Sequence, residues 1–211
     1  MGAHGEGGSG TGVNPSNQQD NSEANSGAAY VYEKQMNGEW IFTTYLKASN
    51  TGAEDRFGRS VDVNDKWIVV GADEEDSSSQ SDPNGNSLSN SGAVYLYSLN
   101  PSTTPSNIEF HSYLKAINPQ LAAYFGHSVS LHEDWLLVGA YFENSNSTGI
   151  DGNPFNTVAP LDTGSAYLFK FDSSLNEWIF YHYLKSDDKD ARNDGENFLV
   201  GQFHYGVIPH K

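Results

Sequence analysis

Oxygen ligands gather in three loops of this chain, and such gatherings are the raw material of calcium chemistry. The stretch ADEEDSSSQSDPNGNSLSNSG sets Asp73, Glu74, Glu75 and Asp76 ahead of Asp82, Asn84 and Asn86. A later loop offers Glu143, Asn144, Asp151 and Asn153, and an earlier one Glu6, Asn14, Asn17 and Asp20. Calcium takes about six to eight oxygens, so loops of this length can in principle supply a shell. DPNGN imitates the opening of a helix-flanked calcium loop, but no glutamate follows at its twelfth place and no helical pattern flanks it. Two readings stand. The first is a solvated, turn-rich surface loop; the second is a calcium site drawing on Asp73, Glu75, Asp76, Asp82, Asn84, Asn86, Asp151 and Asn153.

Catalytic patterns are scarce. The seven histidines, at 4, 111, 127, 132, 182, 204 and 210, form no H-E-x-x-H, and no serine sits in a G-x-S-x-G elbow. His127 and His132 stand where an earlier copy of the same pattern has Arg59 and Asn64, and the sequence shows no partner for either. The reading is of a protein that is not an enzyme. Tyr141, Phe142 and Phe155 are loop aromatics without an evident core role. They are candidates for contact with a protein or a sugar ring, or else they cap the apolar edge beneath them. Asn146-Ser147-Thr148 fits the glycosylation pattern.

Charge narrows the partners. Against 11 basic residues stand 27 acidic ones, a formal net charge of −16. Nucleic acid and anionic membrane surfaces are repelled by such a field, and cations are its natural partners, unless the acids only form a solvated surface. Cysteine is absent, removing disulfides, thiol catalysis and zinc–thiolate sites together. No apolar run reaches the roughly 20 residues of a membrane span, and MGAHGEGGSG lacks the apolar core of a secretion signal. If the protein is exported, its signal is expected outside this chain.

These residues are positioned by a repeat. TTYLKAS, HSYLKAI and YHYLKSD place Leu46, Leu114 and Leu184 at intervals of 68 and 70 residues. RFGRSVDV and YFGHSVSL put Phe57-Gly58 and Phe125-Gly126 68 apart, as WIVVGA and WLLVGA do Gly71-Ala72 and Gly139-Ala140. SGAAYVYE, SGAVYLYS and GSAYLFKF complete the set, and MGAHGE overlays VGADEE. Each unit holds four short apolar stretches. FGRSVDV has the two-residue period of a half-buried strand, and KWIVVGA the continuous apolar run of a strand buried on both faces. The fold class is therefore all-β: propeller blades of four antiparallel strands in an incomplete ring. Residues 1–50 make a partial blade, 51–118 and 119–187 full blades, and 188–211 a degenerate or truncated segment.

Within a blade, Gly58 and Gly126 are expected where the inner strands crowd, and Gly71 and Gly139 where the second strand turns sharply into its loop. Trp67 and Trp135 read as wedges between sheets, and Asp62, Asn64 and Asp65 as turn formers.

The pairing of FG-x-S-V with V-G-A, at 57–72 and again at 125–140, resembles the FG-GAP repeat of integrin α-chain propellers. It is more similar still to secreted microbial proteins whose blades carry YLKAS, FG-x-S-V, VGA and SGA-x-Y-x-Y. The resemblance implies a propeller of about seven blades, displayed outside the cell or on its surface, that binds protein or glycan through loops on one face. It also implies calcium in the hairpin between the first two strands. Here that hairpin, Asn64-Asp65 or His132-Glu133-Asp134, is too short for a cage.

Two full blades and a partial one fall short of a ring. A fragment of a longer reading frame, subunits that complete a ring, and an open array that self-associates through blade edges all account for this, the fragment foremost. Three functions follow: a binding or adhesion module, a structural spacer of a large surface protein, and a hydrolase or lyase working in a propeller cleft.

Overall fold

A computed structural model describes residues 1–103, 105–156 and 163–187. The segment 188–211, expected as a degenerate blade start, lies outside the described residues. Eleven strands run in chain order: β1 Gly2–Ala3, β2 Ala28–Lys34, β3 Trp40–Leu46, β4 Ser60–Val63, β5 Trp67–Ala72, β6 Ala93–Asn100, β7 Asn107–Leu114, β8 Phe125–His132, β9 Trp135–Ala140, β10 Ser165–Asp172 and β11 Glu177–Leu184. No helix occurs among the described residues. The strands form three antiparallel meanders, β1-β2-β3, β4-β5-β6-β7 and β8-β9-β10-β11.

The sheets reproduce one another down to their irregularities. Each has a register shift between its last two strands, at Val31/Tyr32, Leu96/Tyr97 and Leu168/Phe169. An extra residue there sharpens the local twist at one repeat position in all three.

Alternation along the strands makes two apolar faces per sheet, and burying them stacks sheet on sheet. In β5, Ile68, Val70 and Ala72 enter the core shared with the first sheet, alongside Ala29, Leu46, Phe57, Tyr95 and Tyr97. Trp67 and Val69, on the other side, enter the core shared with the third sheet, with Leu96, Phe125, Leu136, Tyr167 and Trp178. The wedge expected of Trp67 is present: its ring meets Phe171 at 4.7 Å and Trp178 at 5.4 Å. Trp135, its repeat equivalent, is only half-buried, against Tyr181 and the Lys170 ammonium.

Glycines set how closely the sheets approach. Gly58 and Gly126 have φ of 91°. A Cβ there would lie 2.2 Å from Ala28 O and 2.4 Å from Ala93 O respectively, on the neighbouring sheet. Gly71 departs from its expected role. It lies inside β5, with no left-handed φ, and a Cβ on it would stand 2.0 Å from Gly126 O. Close approach, not turning, is what requires glycine there, and Gly139 likewise lies inside β9 rather than at a turn.

Two other expectations are corrected. Asn64 does form its turn, its Oδ1 accepting from Lys66 N and Trp67 N at 2.9 Å. Asp62 instead bridges sheets, Oδ2 accepting from Leu131 N at 2.7 Å. Val63, expected on a half-buried strand, is 60% exposed, because the first sheet presents only the two-residue β1 beside it.

Candidate functional site

All three long loops leave the same end of their sheets, after β1, β5 and β9, and the sheet-to-sheet linkers reach that end too. There each sheet buries the same ion pair. Lys47, Lys115 and Lys185, which follow the YL of the last strand, meet Glu6, Glu75 and Glu143 at 2.8 Å in every case. The lysines also donate to Ser26 at 2.8 Å, Ser91 at 2.7 Å and Thr163 at 2.5 Å. Burial pushes each lysine below its ordinary pKa, and the facing glutamate opposes that shift. Tyr113 and Tyr183 close the network through Ser77 and Ser145. Gly8 takes the serine's place in the first sheet, so Tyr45 lacks that hydroxyl partner.

The glutamates also tie neighbouring sheets. Asn50, just past the first sheet, donates Nδ2 to Glu75 Oε1 at 3.1 Å and accepts from Tyr95 Oη at 2.6 Å. Asn118 does the same one sheet on, with Glu143 at 2.9 Å and Tyr167 at 2.7 Å. Beside the first of these junctions lies Asp55, a buried carboxylate with Gly52 N as donor at 2.8 Å. Burial, then the charge of Glu75, pushes its pKa up to about 7.

The candidate calcium ligands are not brought together. Glu75 is 1% exposed, with both oxygens engaged. Asp76 accepts from Asn90 N at 2.7 Å, Asp151 from His182 and Tyr183 N, and Asn153 caps Phe155 N at 3.0 Å. Asp82 turns back on its own loop, accepting from Gly85 N through its carbonyl, and Asn84 and Asn86 lie on that loop. Among the described residues, no group of three or more His, Asp or Glu is placed to hold a metal.

What the loop face does assemble is an aromatic cluster on a charged base. Asp73 Oδ2 accepts from His127 Nδ1 at 2.7 Å, with Arg59 Nε 3.4 Å away. A proton on Nδ1 leaves Nε2 to face the Arg59 guanidinium at 3.5 Å. The partner absent from the sequence reading of His127 is thus Asp73, 54 residues earlier, supplied by the neighbouring sheet. On His127 lies Tyr141, ring centroids 4.3 Å apart, and Tyr141 meets Phe142 at 4.2 Å and Tyr124 at 5.0 Å. Phe155, 67% exposed, is outside this stack.

Tyr124 itself was not signalled by composition. Its signal was position: it precedes Phe125-Gly126 as Arg56 precedes Phe57-Gly58, and both are left-handed, at φ 56°. That conformation is costly for a side chain of this size, and backbone bonds to Asn90 O and Asn25 O, 3.0 Å each, hold it. The side chain at this position varies between copies: Arg56 pairs with Glu74 at 3.0 Å, whereas Tyr124 stacks.

A family model described as FG-GAP repeat matches residues 40–97 and 114–169, more than half of the chain. No curated protein matches it. Each matched stretch begins in the last strand of one sheet and ends in the third strand of the following sheet, so the sequence unit straddles the sheet junction that Asn50 or Asn118 ties.

Proposed function

The chain belongs to the FG-GAP repeat family, and on that premise we propose that it is a non-enzymatic, extracellular or cell-surface binding module of propeller type, taking a protein or glycan ligand on its long-loop face. The Tyr124–Tyr141–Phe142 stack carries the reading. Its rings are half-buried, and Tyr141 stacks on His127, which Asp73 holds by a hydrogen bond. Rigid amphipathic rings offer contact area at small entropic cost, and adjoining carboxylates and guanidinium supply polar anchors. Chemistry on bound substrate has less support, since the three buried lysines and their glutamates are spent on one another and Asp73 is engaged by His127 and Arg59.

The test is capture of the purified protein on arrays of defined glycans and matrix proteins. Specific capture by wild type, lost in Tyr141→Ala, supports the assignment. Silence across both arrays supports the second reading, a structural spacer, which the thrice-repeated internal ion pair favours.

A further inference from the structure

In the first and third sheets the long loop comes back to pair with the last strand. Val13 bridges Leu46 and Ile150 bridges Leu184, both antiparallel. Around each bridge the same backbone bonds recur. Asn14 N and Asp151 N donate to Tyr45 O and Tyr183 O at 2.8 Å, and Lys47 N and Lys185 N to Gly12 O and Gly149 O at 2.9 Å. The Oδ1 of Asn14 and of Asp151 then accepts from Tyr45 N and Tyr183 N, at 2.8 and 3.0 Å. Each bridge is thus a Gly-Val-Asn or Gly-Ile-Asp segment laid along an outer strand.

The second sheet has no such bridge among the described residues. Asn14 and Asp151 stand eight residues past Glu6 and Glu143, and the place eight past Glu75 is Pro83. Proline has no N–H to donate to Tyr113 O and no side-chain acceptor for Tyr113 N. Its carbonyl is held instead by Asn50, and Ser81 and Asp82 before it are exposed. Among the described residues, none makes the corresponding bonds to the backbone of Tyr113 and Lys115. The outward edge of β7 is open there.

The place of the apolar side chain is open as well. Val13 packs on the core between the first two sheets, which contains Tyr97 and Ile108. Between the second and third sheets, strand register puts Phe169 and Trp178 in their positions. Here they line a cavity of about 410 Å³ beside Leu114 and Lys115, bordered by the loop residues Ser78 and Gln80.

We propose that the open edge of β7 binds an extended segment of a partner protein as an added strand, its valine or isoleucine in this cavity and an asparagine beside it on the backbone of Tyr113. The two segments that fill this place in the sister sheets show the chemistry of the occupant, and the contact continues a ladder the second sheet already makes. Asn14 and Asp151 have left-handed φ of 47° and 57°, a conformation that Asn and Asp tolerate. The net charge of −16, with Asp82 on the bordering loop, selects Asn over Asp and a partner with basic residues flanking the motif. None of the residues involved belongs to the Tyr124, Tyr141 and Phe142 stack, so the two sites are tested apart.

The probe is a fluorescein-labelled peptide of residues 10–16 with lysines added at each end, titrated into the purified full chain and followed by fluorescence anisotropy. Saturable binding is expected, weakened at least about tenfold when the asparagine nitrogen is methylated, which removes the donor to Tyr113 O. Aspartate in place of the peptide's valine should weaken it as much. Ser81→Gly, Asp82→Val and Pro83→Asn together write the first loop's segment into the second. That variant should fill its own edge, lose the peptide and melt above wild type; if it fails to fold, the methylated peptide decides. No binding up to about 1 mM peptide overturns the proposal. So does equal affinity for the methylated peptide, or undiminished binding by the folded triple variant. Light scattering that shows wild type dimerising and thereby excluding the peptide would put a second copy on the edge, and overturns it too.

Discussion

Lys115 Nζ stands 2.8 Å from Glu75 Oε2, and each of the two side chains is only 2% exposed to solvent. Removing one partner from such a pair strands a buried charge, at a typical loss of about 3–5 kcal/mol. Lys115→Met is therefore expected to lower the unfolding free energy by roughly that amount. Glu75→Gln on the same background should recover part of it, because the stranded carboxylate is gone. Urea unfolding of both single variants and the double variant, taken as a cycle, measures the coupling; additive losses would show that the pair is not the unit.

Gly71 and Gly38 separate two reasons for being glycine. A Cβ at Gly71 would meet a carbonyl of the neighbouring sheet at 2.0 Å, whereas Gly38, at φ 87°, has open space around it. Gly38→Ala should cost only the left-handed strain, about 1 kcal/mol. Gly71→Ala forces the second and third sheets apart and should cost more than about 3 kcal/mol or prevent folding. Thermal melts of the two variants decide whether close approach sets the spacing.

Asp55 gives the fold a pH dependence. Its folded pKa of about 7 exceeds the 3.8 of an unperturbed aspartate, so between these values the folded state binds the extra proton. Stability from this group is thus complete below about pH 4, falls as pH rises toward 7 and is level beyond. Asp55→Asn keeps an acceptor for Gly52 N and removes the charge. It should stabilise by on the order of 2 kcal/mol at pH 8 and by little at pH 4. Equal effects at both pH values would contradict the assignment to Asp55.

The architecture was legible in the sequence because strand period, glycine spacing and the YLK, FG and VGA strings recur at a near-constant interval. Each string marks a contact that every sheet must make. The same strings held the Lys–Glu pair, four residues past each VGA glycine and one past each YL. Glu75 nevertheless reads only as a loop acid, solvated or calcium-binding, since a run of acids looks alike whether exposed or buried. Asp62 and His127 escaped for another reason: their partners come from the adjacent sheet, 69 and 54 residues away. Tyr141 and Phe142 were found as loop aromatics, but Tyr124 completes their stack only through a left-handed backbone that no residue type announces.

The most direct measurement of the binding assignment is titration of an array-selected ligand into wild type, Tyr141→Ala and Met36→Ala. Met36 is a fully exposed side chain on the hairpin between β2 and β3, at the opposite end of the sheets. Truncating a ring at the centre of an interface typically costs about 2 kcal/mol or more. Tyr141→Ala should therefore weaken binding by at least about thirtyfold, and Met36→Ala should match wild type. Undiminished affinity in Tyr141→Ala, with the ligand still bound, would place the site elsewhere and contradict the account.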